Sequence, residues 1–200
     1  ELTGIDLPHE NRGLVPSKAW KARRFRQPWV RGETLNVSIG QGSTLVTPVQ
    51  FASFVSSLMN GGKLLKPLLL SEDPVQVRRD VPGSPEARRV IMESMRRTVE
   101  GGTATVLQRT DAVMGGKTGT AQVVKLKFAS GDRRLKTHEM AYEQRDHAWI
   151  ASYGEKAGKR YVVVAMVEHG GGGGAVAGPV VKKIYEHLFG PLATAAAGQR

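Results

Sequence analysis

Lys117-Thr118-Gly119-Thr120, within the run MGGKTGTAQVV, sets a cation, two hydroxyls and a glycine in consecutive positions. The chain then turns strand-like at Gln122-Val123-Val124. On an extended segment side chains alternate faces, so Lys117 and Gly119 share one side and Thr118 and Thr120 the other. A glycine without Cβ lets a ligand lie close against the backbone. Such a strand edge suits an extended anionic substrate, held by main-chain hydrogen bonds, an ammonium and hydroxyls.

Rival chemistries fit the spacing less well. Gly116-Lys117-Thr118 matches the end of a phosphate-binding P-loop, but that motif needs a glycine where Asp111 stands and a helix where AQVV reads as strand. Gly40-Gln41-Gly42 fails the dinucleotide fingerprint, because Leu45 occupies its third glycine position. Gly170–Gly174 reads as a flexible loop. His9, His138, His147, His169 and His187 show no paired ligand spacing, so no metal site and no cofactor is expected.

The elements around the motif can be read from their punctuation. Residues 1–35, rich in Pro, Gly, Arg and Trp, read as irregular. Thr47 is placed to cap a helix that opens at Pro48, carries Phe51, Phe54, Val55, Leu58 and Met59 at helical spacing, and stops at Gly61 or Gly62. LLKPLLL reads as a short extended run, and Ser84-Pro85-Glu86 opens a second helix that ends at Gly101-Gly102. A further short helix is expected at Thr103–Arg109. After the KTGT strand and a charged stretch to Arg145, HAWIASY and YVVVAMVE read as two strands, with Gly154–Gly158 as the hairpin turn. Pro179–Leu188 reads as a closing helix and residues 191–200 as a disordered tail. Helices, a three-strand meander and a last helix give an α+β fold, an antiparallel sheet flanked by helices.

Composition agrees with a globular chain: 40% of residues are hydrophobic and 24% charged. The absence of cysteine excludes disulfides and thiolate chemistry. The net charge of +11 is concentrated, with seven Lys or Arg and no acid between Arg12 and Arg31, and a second cluster at Lys125, Lys127, Arg133, Arg134 and Lys136. Contact with lipid headgroups or another anionic surface is one reading and a solvated basic face the other. No zinc-finger spacing or RNP-like aromatic run accompanies the charge, so no nucleic-acid partner is expected. No run approaches the roughly 20 apolar residues of a membrane span. The opening ELTGIDLPHE lacks a signal peptide's basic and apolar blocks. The chain reads as a fragment whose anchor lies upstream.

KTGTAQ, preceded by EGGTA (Glu100–Ala104), SIGQG (Ser38–Gly42) and TPVQ (Thr47–Gln50), resembles the transpeptidase domain of penicillin-binding proteins. K-T-G is one of that family's three sequence elements, beside S-x-x-K and an S-x-N type. GIDLPHENRGLVPS, Pro28-Trp29 and RDHAWIASY are similar to the class B, elongation-type penicillin-binding protein 2 group, and the likeness runs over residues 1–190. The resemblance implies that Lys117 attracts the terminal carboxylate of a substrate or β-lactam and supports the proton network around the nucleophile. It further implies that the Thr118 and Thr120 hydroxyls bond that carboxylate, that the Thr120 N–H donates to the oxyanion hole, and that Gly119 admits a close strand approach. The implied parent is a serine acyl-enzyme in the periplasm, anchored in the inner membrane. It would cross-link peptidoglycan stem peptides and pair with a membrane glycan polymerase.

One departure matters. No serine or threonine here has lysine three positions on, and no serine has asparagine two positions on. Two of the three elements are therefore absent, and the chain alone is expected to form no acyl-enzyme. The resemblance further implies N-terminal strands that pair beside the last one, and without them VVVAMV is expected to be an exposed edge that pairs with a second copy. A β-lactamase or β-lactam sensor shares the fold, but SIGQG, TPVQ and the Lys125–Arg145 stretch favour the transpeptidase. A non-catalytic peptide- or glycan-binding module is the alternative of a different class.

Overall fold

The computed structural model describes residues 1–70, 72–124 and 135–192. Five helices and five strands follow in the order α1 (Lys18–Phe25), α2 (Arg31–Ser38), α3 (Pro48–Met59), β1 (Lys63–Leu65), β2 (Val77–Asp80), α4 (Pro85–Gly101), β3 (Val113–Ala121), β4 (His147–Lys156), β5 (Lys159–Val167) and α5 (Gly178–Phe189). β3, β4 and β5 form an antiparallel meander in that spatial order, and β1 pairs with β2 in a separate two-stranded ribbon. The α+β reading holds. Among the described residues no helix is long and apolar enough to cross a membrane.

The meander is covered on both faces, which explains why β4 reads as a near-continuous apolar run rather than an alternating one. One face packs Ile150, Val163 and Met114 against Val181, Tyr185 and Phe189 of α5, with Val99, Ala104 and Leu107 closing the layer. On the other, Ala151 and Tyr153 meet Val55 of α3 and Met95 of α4. Two buried polar groups inside the first layer satisfy each other. Ser152 Oγ donates to the Val163 carbonyl at 2.8 Å and lies 3.1 Å from the Tyr185 hydroxyl. Burial pushes the Tyr185 hydroxyl well above the usual phenol range, so it stays protonated.

The expected caps are present. Thr47 Oγ1 accepts from Gln50 N while the Gln50 side chain accepts from Thr47 N, a reciprocal box that starts α3. Ser84 Oγ accepts from Ala87 N at the start of α4. The short helix expected at Thr103–Arg109 is one tight turn, Thr105–Leu107.

Four readings need correction. Residues 1–35 are not irregular throughout: α1 begins on a Ser17 cap to Trp20 N, and Lys21 reaches Glu33 of α2 at 2.7 Å. That lysine holds the Glu33 carboxyl below the usual range, helped by the Val30 N–H. LLKPLLL is strand only at Leu64 and Leu65, the end of β1, where the unread β2 pairs with it. The hairpin turn is just Ala157-Gly158, both at positive φ (50° and 77°), the geometry of a tight two-residue connection. Gly154 is instead a strand residue that makes room for a ring: a Cβ there would lie 2.7 Å from Tyr185 Cε1.

The fourth concerns the glycine run. It is a packed turn leading into a wide helical turn at Gly173–Ala177, with Gly171 and Gly173 buried. A Cβ on Gly173 would lie 2.2 Å from the Trp149 carbonyl oxygen and 2.5 Å from that of Gly119, so the run lies directly on the KTGT strand. Lys125, Lys127, Arg133 and Arg134 of the second basic cluster lie outside the described residues, as does the tail beyond Leu192.

Candidate active site

β3 is the scaffold of the site. Its pairing with β4 sets Lys117 opposite Ala151, Thr118 opposite Ile150, Gly119 opposite Trp149 and Thr120 opposite Ala148. The two faces predicted from alternation are seen. A Cβ on Gly116 would touch Leu107, Ala104 and Val99 on the α5 side, the face that Thr118 and Thr120 share. Gly115 lies against the Tyr153 ring on the opposite face, with Lys117 and Gly119.

Each KTGT residue is placed by a different segment. Thr118 Oγ1 lies 2.7 Å from Thr103 Oγ1. The EGGTA segment delivers Thr103 because α4 ends at Gly101 and the Ala104 N–H turns back onto the Thr98 carbonyl. Lys117 is exposed, and its ammonium donates to the Thr118 carbonyl at 2.6 Å. Thr120 is exposed, and its carbonyl accepts from Gln41 Nε2 at 2.7 Å. The Gln122 N–H donates to Gln41 Oε1 at 3.3 Å.

These bonds define the free edge. In an antiparallel ladder a residue turns its N–H and C=O to the same side, alternating along the strand. The Thr120 carbonyl faces Gln41, so the Thr120 N–H and the main chain of Thr118 point away from β4. The Lys117 ammonium, bonded to the outward Thr118 carbonyl, and the Thr120 N–H thus lie on an edge with no strand beside it among the described residues, and the Thr118 and Thr120 side chains stand on the α5-side face next to it. Gly119 adds clearance: a Cβ there would sit 3.4 Å from Trp149 Cβ, ordinary contact, so folding does not itself demand the glycine.

Away from this edge, the base of β3 is tied by charge. Arg109 makes two bonds of 2.9 Å to Asp111, and Lys156 Nζ adds one at 2.7 Å. The same two cations reach the Gly190 and Phe189 carbonyls at the end of α5. Arg109 first, then Lys156, hold the Asp111 carboxyl far below the usual carboxylate range. A cleft of about 620 Å³ opens beside this cluster, lined by Arg96, Glu100, Gln108, Arg109 and Met114. It does not reach Lys117–Thr120. We place the candidate site on the strand edge, where the Lys117 ammonium and the outward main chain of Thr118 and Thr120 lie together. His147 lies at the start of β4, where its Nδ1 accepts from the His169 N–H at 2.9 Å.

The structural roles of Gln41 and Thr103 were not legible from the sequence. Their contacts span 79 and 15 positions, and only the motifs SIGQG and EGGTA marked them.

The family model for the penicillin binding protein transpeptidase domain matches residues 1–186. The chain belongs to the penicillin-binding transpeptidase family. Peptidoglycan D,D-transpeptidase MrdA of Salmonella typhimurium is 32% identical over 207 residues, covering 96% of this chain and 32% of that protein. Penicillin-binding protein 2 of Helicobacter pylori, solved in complex with MreC, superposes with a TM-score of 0.76 at 32% identity over 95% of this chain and 34% of the solved one. Penicillin-binding protein 2 of Pseudomonas aeruginosa, solved with WCK 5153, gives a TM-score of 0.72 at 32% identity over 97% of this chain and 43% of the other. The chain thus spans about a third of the length of the MrdA relatives. Within that span K-T-G lies on an outer strand of the meander, with no further strand beside it among the described residues.

Proposed function

We propose that this chain supplies the substrate-binding wall of a peptidoglycan D,D-transpeptidase of the elongation type. The observation that carries the reading is the open outer edge of β3, where Lys117, Thr118, Gly119 and Thr120 present ammonium, hydroxyls, clearance and an outward N–H. Lys117 and the two hydroxyls hold the terminal carboxylate of a stem peptide, or of a β-lactam that imitates it. The Thr120 N–H stabilises the oxyanion as a serine attacks the neighbouring carbonyl. That serine comes from an S-x-x-K segment, which residues 1–200 do not contain. Acyl transfer therefore requires this wall and that segment in one active site.

The whole protein, on this reading, cross-links peptidoglycan stem peptides during cell elongation from the periplasmic face of the inner membrane. It is acylated by β-lactams and works beside a membrane glycan polymerase. An isolated copy of this chain pairs with another through the outer edge of β5, which has no strand beside it among the described residues.

Penicillin labelling tests the reading. Residues 1–200 alone should give no adduct that survives denaturation, and the polypeptide that also carries the S-x-x-K segment should label stoichiometrically. Lys117→Ala in the latter should abolish labelling. A stable adduct on the chain alone, or full labelling of the Lys117→Ala protein, would overturn it.

A further inference from the structure

SIGQG is a marker of the family likeness, yet the carboxylate-binding and oxyanion roles leave its glutamine without a task. The geometry supplies one. Gln41 stands on a loop pinned to the end of α2: its own N–H donates to the Asn36 carbonyl at 2.9 Å, and the Gly40 N–H donates to the Val37 carbonyl at 3.0 Å. Gly40 and Gly42 flank it at φ 74° and 77°, the left-handed region that glycine enters freely. That turn aims the carboxamide at β3. The amide then bonds β3 as another strand would, donating to the Thr120 carbonyl and accepting from the Gln122 N–H.

We propose that Gln41 is a positioning residue for acyl transfer, which ends the outer edge of β3 at Thr120 and fixes the direction of the Thr120 N–H. The inference rests on the transpeptidase reading above and deepens it. β3 stops at Ala121, so Thr120 is the next-to-last residue of the strand, where pairing frays first. Pairing with β4 secures one side of it, and Gln41 is the outer restraint. An extended peptide laid on this edge meets the Thr118 N–H, the Thr120 N–H and, once the Lys117 ammonium that bonds it turns to the ligand's carboxylate, the Thr118 carbonyl. It does not meet the Thr120 carbonyl, which Gln41 occupies. The reacting carbonyl is thereby held at the final open donor, and the peptide cannot slide one register further along β3. Gln41 acts through Thr120 and does not itself touch the reacting atoms.

The test uses the protein that carries this chain together with its S-x-x-K segment, and reads the saturating rate of acylation by a fluorescent penicillin separately from its dissociation constant. Gln41→Ala should slow acylation at saturation by about tenfold, the scale expected when a reacting group is misplaced by less than an ångström. The dissociation constant should change less than about twofold, since the carboxylate contacts remain. Gln41→Glu keeps an acceptor for the Gln122 N–H and loses the donor to the Thr120 carbonyl, so it should follow Gln41→Ala. A merely structural role would instead lower the fraction of protein that labels while leaving the rate of the remainder unchanged. That result, or a rate within about twofold of wild type for Gln41→Ala, would overturn the proposal. Amide exchange on residues 1–200 gives an independent arm. Gln41→Ala should speed exchange at Gln122 and leave Gly115, whose N–H faces β4, unchanged, and equal protection at Gln122 would overturn the clamp. Failure of the wild-type protein to label would count against the transpeptidase reading, and the exchange arm would still decide the clamp.

Discussion

Two glycines four positions apart on β3, Gly115 and Gly119, should respond in opposite ways to the same methyl group. A Cβ on Gly115 would lie 2.2 Å from Tyr153 Cε1 and 2.4 Å from Cζ, inside the ring's own volume. Tyr153 is 5% exposed, and its hydroxyl donates to the Met92 carbonyl at 2.9 Å. The ring must therefore leave its place, and overpacking of this kind costs about 1–3 kcal/mol. Loss of the Met92 bond adds about 1 kcal/mol. Gly115→Ala should thus destabilise the chain by about 3 kcal/mol. In urea, with a slope of about 2 kcal/mol per molar, the midpoint should fall by about 1.5 M. Gly119→Ala meets only Trp149 Cβ at 3.4 Å, and alanine restrains the unfolded chain more than glycine, so the midpoint should move by less than about 0.5 M. In the protein that also carries the S-x-x-K segment, Gly119→Ala should nevertheless slow penicillin acylation, because its methyl projects where a ligand approaches. Equal midpoint shifts for the two variants would refute the assignment of one glycine to packing and the other to substrate. So would Gly119→Ala with undiminished acylation.

Other outcomes follow from the same geometry. Asp111 has a folded pKa held below its ordinary value by Arg109 and Lys156, so its stabilisation is present above about pH 4 and is lost as pH falls toward the folded value. The melting-temperature difference between wild type and Asp111→Asn should shrink steadily from pH 5 downward; a constant difference would contradict the cluster. Gly173→Ala should destabilise more than Gly119→Ala in thermal melts, since its Cβ meets main-chain oxygens of Trp149 and Gly119 that cannot rotate away. The open β5 edge should make residues 1–200 dimerise as concentration rises. A single monomeric mass by light scattering at high concentration would count against it.

The sequence exposes those features whose cause is local. Thr47 with Gln50 and Ser84 with Ala87 mark helix starts through bonds three residues long, and both are where the spacing puts them. The β3 alternation is likewise a property of the extended chain. What was missed depends on distant partners. α1 and α2 bury little apolar surface, Lys21 being the one residue of the two that is buried, so no 3.6-residue pattern marks them. β2 is exposed at every position and shows no apolar alternation. The Gly170–Gly174 composition reads as flexible, and the main-chain oxygens of Trp149 and Gly119 against Gly173, and of Thr103 against Gly174, show why glycine stands there. At the site, K-T-G was legible as a motif. The Gln41 and Thr103 contacts that orient it were not, because they join segments the chain separates.

The central claim is that the outer edge of β3 receives the acyl group. The direct measurement is a crystal structure of the S-x-x-K-bearing protein acylated by a penicillin. The acyl carbonyl oxygen should lie about 2.7–3.1 Å from the Thr120 N–H, with the β-lactam carboxylate against Lys117 and the hydroxyls of Thr118 and Thr120. An acyl group directed away from β3, or a carboxylate seated in the cleft beside Arg109, would contradict the account.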